Sequence, residues 1–232
     1  MTNLIAAAAF FVLLHLLVSG TRVRDGLIAR IGQGPYLGLF VLLSWAGIIW
    51  LGFGFATARG SIANAAYWGV TPATRWVQIG LQVVAFLFIV IGLTTRNPTA
   101  VRGESALDDP NVVKGMLRVT RHPFLWGVAI LALGHLVVNG DRASVILFGA
   151  MLLLALFGTA SIDAKRRRAM GAAWDAFAAR TSNVPFGAIV SGRQELGPAL
   201  AEIGWQRPLL AMAVVAALAV AHPYLFGVAA LP

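Results

Sequence analysis

The chain alternates between long apolar runs and short polar segments. Six runs stand out, at roughly 4–20, 36–56, 76–94, 123–139, 143–160 and 208–231. Crossing ~30 Å of hydrocarbon takes about 20 helical residues, and each run meets or approaches that length, the fourth and fifth being short. Backbone groups in lipid must be paired internally, and none of the runs shows the polar–apolar alternation of a barrel strand, so the pattern predicts helices. Asn139-Gly140-Asp141-Arg142, between the fourth and fifth runs, predicts a tight turn. One connection is long, from Ser161 to Arg207. Within it Met170, Trp174 and Phe177 recur at helical spacing among charges. That predicts an interfacial helix at about 162–181, continuing from the fifth span. The first run differs from a cleaved signal peptide, because no basic segment precedes it and no small-residue cleavage site precedes Arg22. The expected fold is all-α, an integral membrane helical bundle of about six spans forming one domain over 1–232.

Composition supports this. Hydrophobic residues make up 59% and charged residues 12%, against about half and about a quarter in a soluble domain. The net charge is +9, which on a soluble chain raises nucleic acid as a partner. Here the charges flank apolar runs, so the expected partner is membrane lipid and not nucleic acid. The loops after the first, third and fifth runs carry all but three of the 18 basic residues, the exceptions being Arg59, Arg75 and Arg142. By the positive-inside rule those loops are cytoplasmic and both termini periplasmic, in a bacterial inner membrane. There is no cysteine, which excludes disulfides, thiolate metal sites and a cysteine nucleophile.

Candidate chemistry narrows to four histidines. His15 lies in the first span and His135 in the fourth; His122 opens the fourth; His222 stands in the sixth, before Pro223. An ionisable residue inside a span is costly and usually functional. The spans hold no Asp or Glu, which disfavours zinc or a di-metal centre. Two imidazoles on different helices suit b-type haem, held in a bundle core by axial histidines. Depth does not choose the second ligand. At ~1.5 Å rise per residue, His15 is offset from His135 by about 11 Å and from His122 by about 9 Å, differences that helix tilt absorbs. Burial favours His135, well inside an apolar run, over His122, which neighbours Arg121 and water. Arg118 and Arg121, in "RVTRHPFLWG", stand where a haem propionate or an anionic lipid headgroup would meet them. Gly47, Gly52 and Gly54 read as helix-packing positions.

The stretches "LLHLLVSG", "RVTRHPFLWG", "LGHLVVNGD", "RTSNVPFGAIVSGRQ" and "AHP" resemble the NnrU family, which also contains plant 15-cis-ζ-carotene isomerase. The likeness runs from about His15 to Pro223. It implies a multispan haem b protein with His15 and His135 as iron ligands and His122 in the family's RHP position; we expect His122 to position or hydrogen-bond the cofactor. In the isomerase branch, reduced haem iron assists rotation about the central double bond of a polyene. The resemblance therefore implies an apolar polyene substrate, with the iron itself as the reactive centre. The plant proteins have a cysteine three residues before the second ligand, where this chain has Ala132. The bacterial branch implies an alternative, a membrane protein tied to nitrite and nitric oxide metabolism in denitrification. The second half of the chain also resembles isoprenylcysteine carboxyl methyltransferases, which use S-adenosylmethionine. Their paired-Glu signature is replaced here by Asp163, Lys165 and three arginines.

Overall fold

A computed structural model describes residues 1–231. Among them the protein is helical, with one isolated antiparallel bridge, Ala66 to Asp141. The helices are α1 (Thr2–Leu13), α2 (Arg22–Ile31), α3 (Gln33–Arg59), α4 (Pro72–Leu93), α5 (Met116–Val119) and α6 (Pro123–Val138). They continue as α7 (Arg142–Met170), α8 (Ala172–Arg180), α9 (Gly187–Val190), α10 (Leu196–Ile203) and α11 (Gln206–Phe226). Helices α3, α4, α7 and α11 are long and apolar enough to cross a membrane. Their outward faces are greasy: Leu42, Phe53 and Phe157 are 66%, 69% and 61% exposed. Lipid matches such a surface, whereas a monomer in water rarely shows so large an apolar patch.

Two expected elements take a different shape. The first run does not continue as one straight helix to Gly20. After α1 comes a π-turn, Leu14–Val18, and α2 then leaves at 79°. The break has a local and a tertiary cause. Thr21 caps α2 by accepting from the Val23 N–H at 3.2 Å. Gly20 lies against Ser161, whose Oγ would stand 2.3 Å from an added Cβ. The interfacial helix expected over 162–181 is also divided. No breaker follows Ser161, so α7 runs on to Met170. Gly171, with φ +52°, ends it and begins α8. Helix α6 is apolar but only 16 residues long.

Contacts group the chain into two compact units. The first comprises 1–78 and 132–161. Helix α1 packs along α3 around Leu4, Ala7, Ala8, Leu51 and Ala58. Two of the three expected packing glycines serve this contact: Gly47 faces Phe10 and Phe11, and Gly54 faces Leu4, while Gly52 looks into open space. The expected turn at 139–142 is present. Tyr67 N–H donates to the Gly140 carbonyl at 2.8 Å and Arg142 N–H to that of Ala65 at 2.9 Å. Asn64 Oδ1 accepts from Ala143 N–H at 2.9 Å and Asp141 Oδ1 from Ser144 N–H at 3.1 Å, capping α7.

The second unit comprises 79–131 and the chain from Ile162 onward. Gly92 sits against Pro123 and Phe124, and Gly127 against Ala85 and Ile89, so α4 and α6 approach closely. Two small cores hold the connecting segments. One gathers Phe88, Ile91, Met116, Val119, Ala199 and Ile203. The other gathers Ala106, Val112, Val113, Leu117, Trp174 and Phe177.

Candidate functional site

In the first unit, His15 stands on the π-turn that ends α1. Its Nδ1 is 2.8 Å from the Phe11 carbonyl oxygen. A carbonyl only accepts, so Nδ1 carries the proton and Nε2 the lone pair. This is the arrangement seen behind metal-ligating histidines, in which the second ring nitrogen donates to a backbone carbonyl or carboxylate. The donor state of His15 thus fits iron ligation through Nε2. π-turns are rare and gather at functional positions. The ring is flanked by Phe11, centroid to centroid 4.3 Å, and Phe40, 5.1 Å. His135, on α6 in the same unit, stacks on Phe148 of α7 at 4.5 Å with an 18° interplanar angle. The Asn139 side chain and backbone N–H donate to the His135 carbonyl, both at 2.9 Å. His222 donates to the Val228 carbonyl, 2.7 Å away. No group of three or more His, Asp or Glu placed to hold a metal exists among the described residues.

His122 belongs to the second unit and to different chemistry. The expectation that it neighbours water is overturned: it is 2% exposed, while His135 is half-buried. The cover comes from the other motif. The strand-like stretch at 181–186 lies along Val119-Thr120-Arg121-His122. Arg121 N–H donates to Ser182 O at 2.9 Å and Phe186 N–H to Val119 O at 2.8 Å. Thr120 Oγ1 and Trp126 Nε1 both donate to Asn183 O, at 2.6 and 2.8 Å. The proximity of "RVTRHPFLWG" and "RTSNVPFG" in space carries no signal in the sequence itself.

At the centre is Asp163, near the end of α7. It accepts from Arg121 Nε at 3.0 Å, His122 Nε2 at 2.7 Å and Asn183 Nδ2 at 3.4 Å. Asn97 Nδ2 and Thr99 Oγ1 close the other side by donating to the Arg121 carbonyl, at 3.1 and 2.9 Å. Burial holds the His122 imidazole below the ordinary histidine range, against the opposing pull of Asp163. The ring is therefore neutral, with Nε2–H donating to Asp163 and Nδ1 buried without a partner. Arg118 makes a second ion pair. Its Nε and Nη2 meet Glu202 at 2.8 and 2.7 Å, and Glu202 also accepts from Gly115 N–H at 2.6 Å. The Arg118 guanidinium holds the Glu202 carboxyl below the usual carboxylate range. A third pair, Arg166 with Glu104, ties the 96–110 loop to α7. Both expected cofactor-binding arginines are thus engaged with carboxylates of the chain. Asp163 and Glu202 were missed as their partners. The available signal for Asp163 was a lone acid at the end of an apolar run, among arginines.

The described residues thus form an all-α fold with four helices long and apolar enough to cross a membrane. The family model described as "NnrU protein" matches residues 3–230, and the chain belongs to that family. Over 95 residues it is 34% identical to the "15-cis-zeta-carotene isomerase, chloroplastic" of Zea mays, covering 40% of this chain and 26% of that protein. The protein of the same description from Arabidopsis thaliana is 29% identical over 127 residues, or 53% of this chain and 35% of the relative. The chain thus matches about a quarter to a third of the length of these relatives. No solved structure matches.

Proposed function

We propose that the protein is a membrane-embedded haem b protein that isomerises an apolar polyene such as 15-cis-ζ-carotene. The reaction rests on the likeness to the two plant isomerases. The cofactor rests on one observation above all: His15 Nδ1–H is committed to Phe11 O, which leaves Nε2 as a lone-pair donor in an apolar, aromatic-lined position. His135 is the second ligand in this reading. It shares the first unit with His15, and the Phe148 face fixes its ring plane. When bound, haem supplies a redox-active iron. The residues orient the imidazoles and exclude water from them. His122, Arg118 and Arg121 act at one remove, by holding the polar cap together.

The topology in this reading is six crossings with both termini periplasmic, α1 and α6 crossing as shortened helices. Its support is the charge split and the meeting of the 60–71 and 139–141 loops at one end of the first unit.

The experiment is absorption spectroscopy of the purified protein, followed by complementation. A Soret band with six-coordinate low-spin character is expected. His15→Ala and His135→Ala each abolish or convert it, whereas His122→Ala keeps it. A bis-imidazole spectrum that survives His135→Ala and disappears in His122→Ala overturns the ligand assignment. A carotenoid-producing bacterium lacking the isomerase should regain conversion of 15-cis-ζ-carotene in darkness. Haem loading without conversion removes the isomerase reading and leaves the haem reading standing.

A further inference from the structure

Tyr36 is 4% exposed, and its hydroxyl is buried without a hydrogen-bond partner among the described residues. Leaving such a group unpaired costs about 1–3 kcal/mol, so a phenol kept in this position calls for an acceptor. Its surroundings say which kind. Tyr36 lies one helical turn, ~5.4 Å, before Phe40 on α3. The two rings are nearly parallel, at 18° with centroids 6.2 Å apart. Phe40 in turn meets the His15 ring at 5.1 Å. Helix α1 runs antiparallel to α3, with Leu4 against Gly54 and Phe11 against Gly47. Tyr36 therefore lies on the side of His15 towards the bend. Beyond the bend, α2 brings Arg24 over the same phenol, its guanidinium carbon 5.8 Å from the ring centroid. The only carboxylate paired with Arg24 among the described residues is Asp25, its exposed sequence neighbour, at 3.2 Å. A surface pair of this kind holds weakly and yields to a better-placed anion.

A buried donor with a guanidinium over its ring, one phenylalanine ring away from an imidazole with a free lone pair, makes a receptor for a carboxylate on an otherwise apolar ligand. We infer that Tyr36 and Arg24 bind a propionate carboxylate of the haem whose iron His15 ligates. The inference deepens the proposed function and rests on it. The other source of this chemistry in a membrane is a free fatty acid.

The test titrates haem and haem dimethyl ester, which lacks the carboxylates, into apo wild-type protein, Tyr36→Phe and Arg24→Gln in detergent. Affinity is read from the Soret band, with oleate binding measured alongside. Loss of one charge-assisted hydrogen bond predicts haem binding weakened about 5- to 10-fold in each variant. Binding of the dimethyl ester should be the same in all three proteins, and the low-spin spectrum should be kept. Equal weakening of both haems means a merely structural role and overturns the inference, as does unchanged affinity for both. Unchanged haem affinity with reduced oleate binding assigns the corner to a lipid carboxylate and overturns it too. A wild-type protein with no Soret band refutes the underlying haem reading, and the inference with it. That outcome is told apart from the others because it appears before any substitution.

Discussion

Removing the Asp163 carboxylate should be among the most damaging single changes in the second unit. The Arg121 and Asp163 side chains are 12% and 13% exposed, too buried for solvent to screen the pair away. Asp163→Ala leaves the Arg121 charge without its partner and the His122 Nε2–H without an acceptor, in a place water hardly reaches. Breaking a buried pair from one side costs about 3–5 kcal/mol, because the remaining charge stays desolvated. Replacing both Arg121 and Asp163 by Leu removes the stranded charge as well, so the double variant should lose less than Arg121→Leu and Asp163→Leu combined. The coupling should be at least ~2 kcal/mol. The assay is thermal unfolding in detergent followed by tryptophan fluorescence, since Trp126 donates to the Asn183 carbonyl inside the same network. If Asp163→Ala costs less than ~1 kcal/mol, or the double variant behaves additively, the network is not holding the cap and the reasoning fails.

The same network sets a pH dependence. The folded pKa of His122 lies below its ordinary value of ~6.5, so protonation favours the open cap and stability falls as pH drops through that value. Glu202, also depressed, adds stability that is present above its unfolded pKa of ~4.3 and lost as pH falls towards its folded pKa. The opening free energy of 111–122, taken from hydrogen-exchange rates corrected for the intrinsic rate at each pH, should fall on acidification in that order, and an unchanged value from pH 7 to 5 contradicts the His122 part. Gly127→Ala puts a Cβ 2.8 Å from the Ala85 carbonyl oxygen and should destabilise by about 2 kcal/mol, whereas Gly52→Ala meets nothing and should be neutral or slightly stabilising. Equal melting temperatures for the two variants would contradict the close α4–α6 approach. A phosphatase fused after Pro232 should be active and one near Arg180 inactive; the opposite pattern inverts the proposed topology.

The apolar runs were legible because lipid imposes a length and a composition on any helix that crosses it. Helices α3, α4 and α11 fall close to the runs read at 36–56, 76–94 and 208–231. What composition could not convey was where a helix stops being straight. The π-turn at Leu14–Val18 sits inside an unbroken apolar run, and its cause is partly tertiary, the approach of Gly20 to Ser161. Gly171 carried a local signal that was available and not used: a glycine after three arginines, at the point where a C-terminal helix cap is expected.

The histidines show why burial read from one dimension misleads. His122 follows an arginine at the edge of an apolar run, which in sequence looks wet. In space the 181–186 segment covers it, and Asp163, 41 residues away, accepts a hydrogen bond from its Nε2–H. Distance along the chain hides that partner completely. The burial argument for choosing His135 over His122 therefore no longer stands, and the choice passes to protonation and company. Both His15 and His122 present one protonated nitrogen to an acceptor, but the acceptors differ. Phe11 O is neutral and local, and it leaves His15 among phenylalanine rings in the unit that also holds His135. Asp163 is charged and already shared with Arg121, so His122 is bound into an ion-pair network whose disruption costs stability. A ligand must be able to turn towards iron without undoing its surroundings. His15 keeps its single hydrogen bond while Nε2 stays available among phenylalanine rings; His122 also has an unpartnered Nδ1, but in a ring that is 2% exposed and held by a charged carboxylate. The proposal of His15 and His135 as the ligand pair is thus supported by the company each imidazole keeps in the first unit, and not by its depth in the membrane.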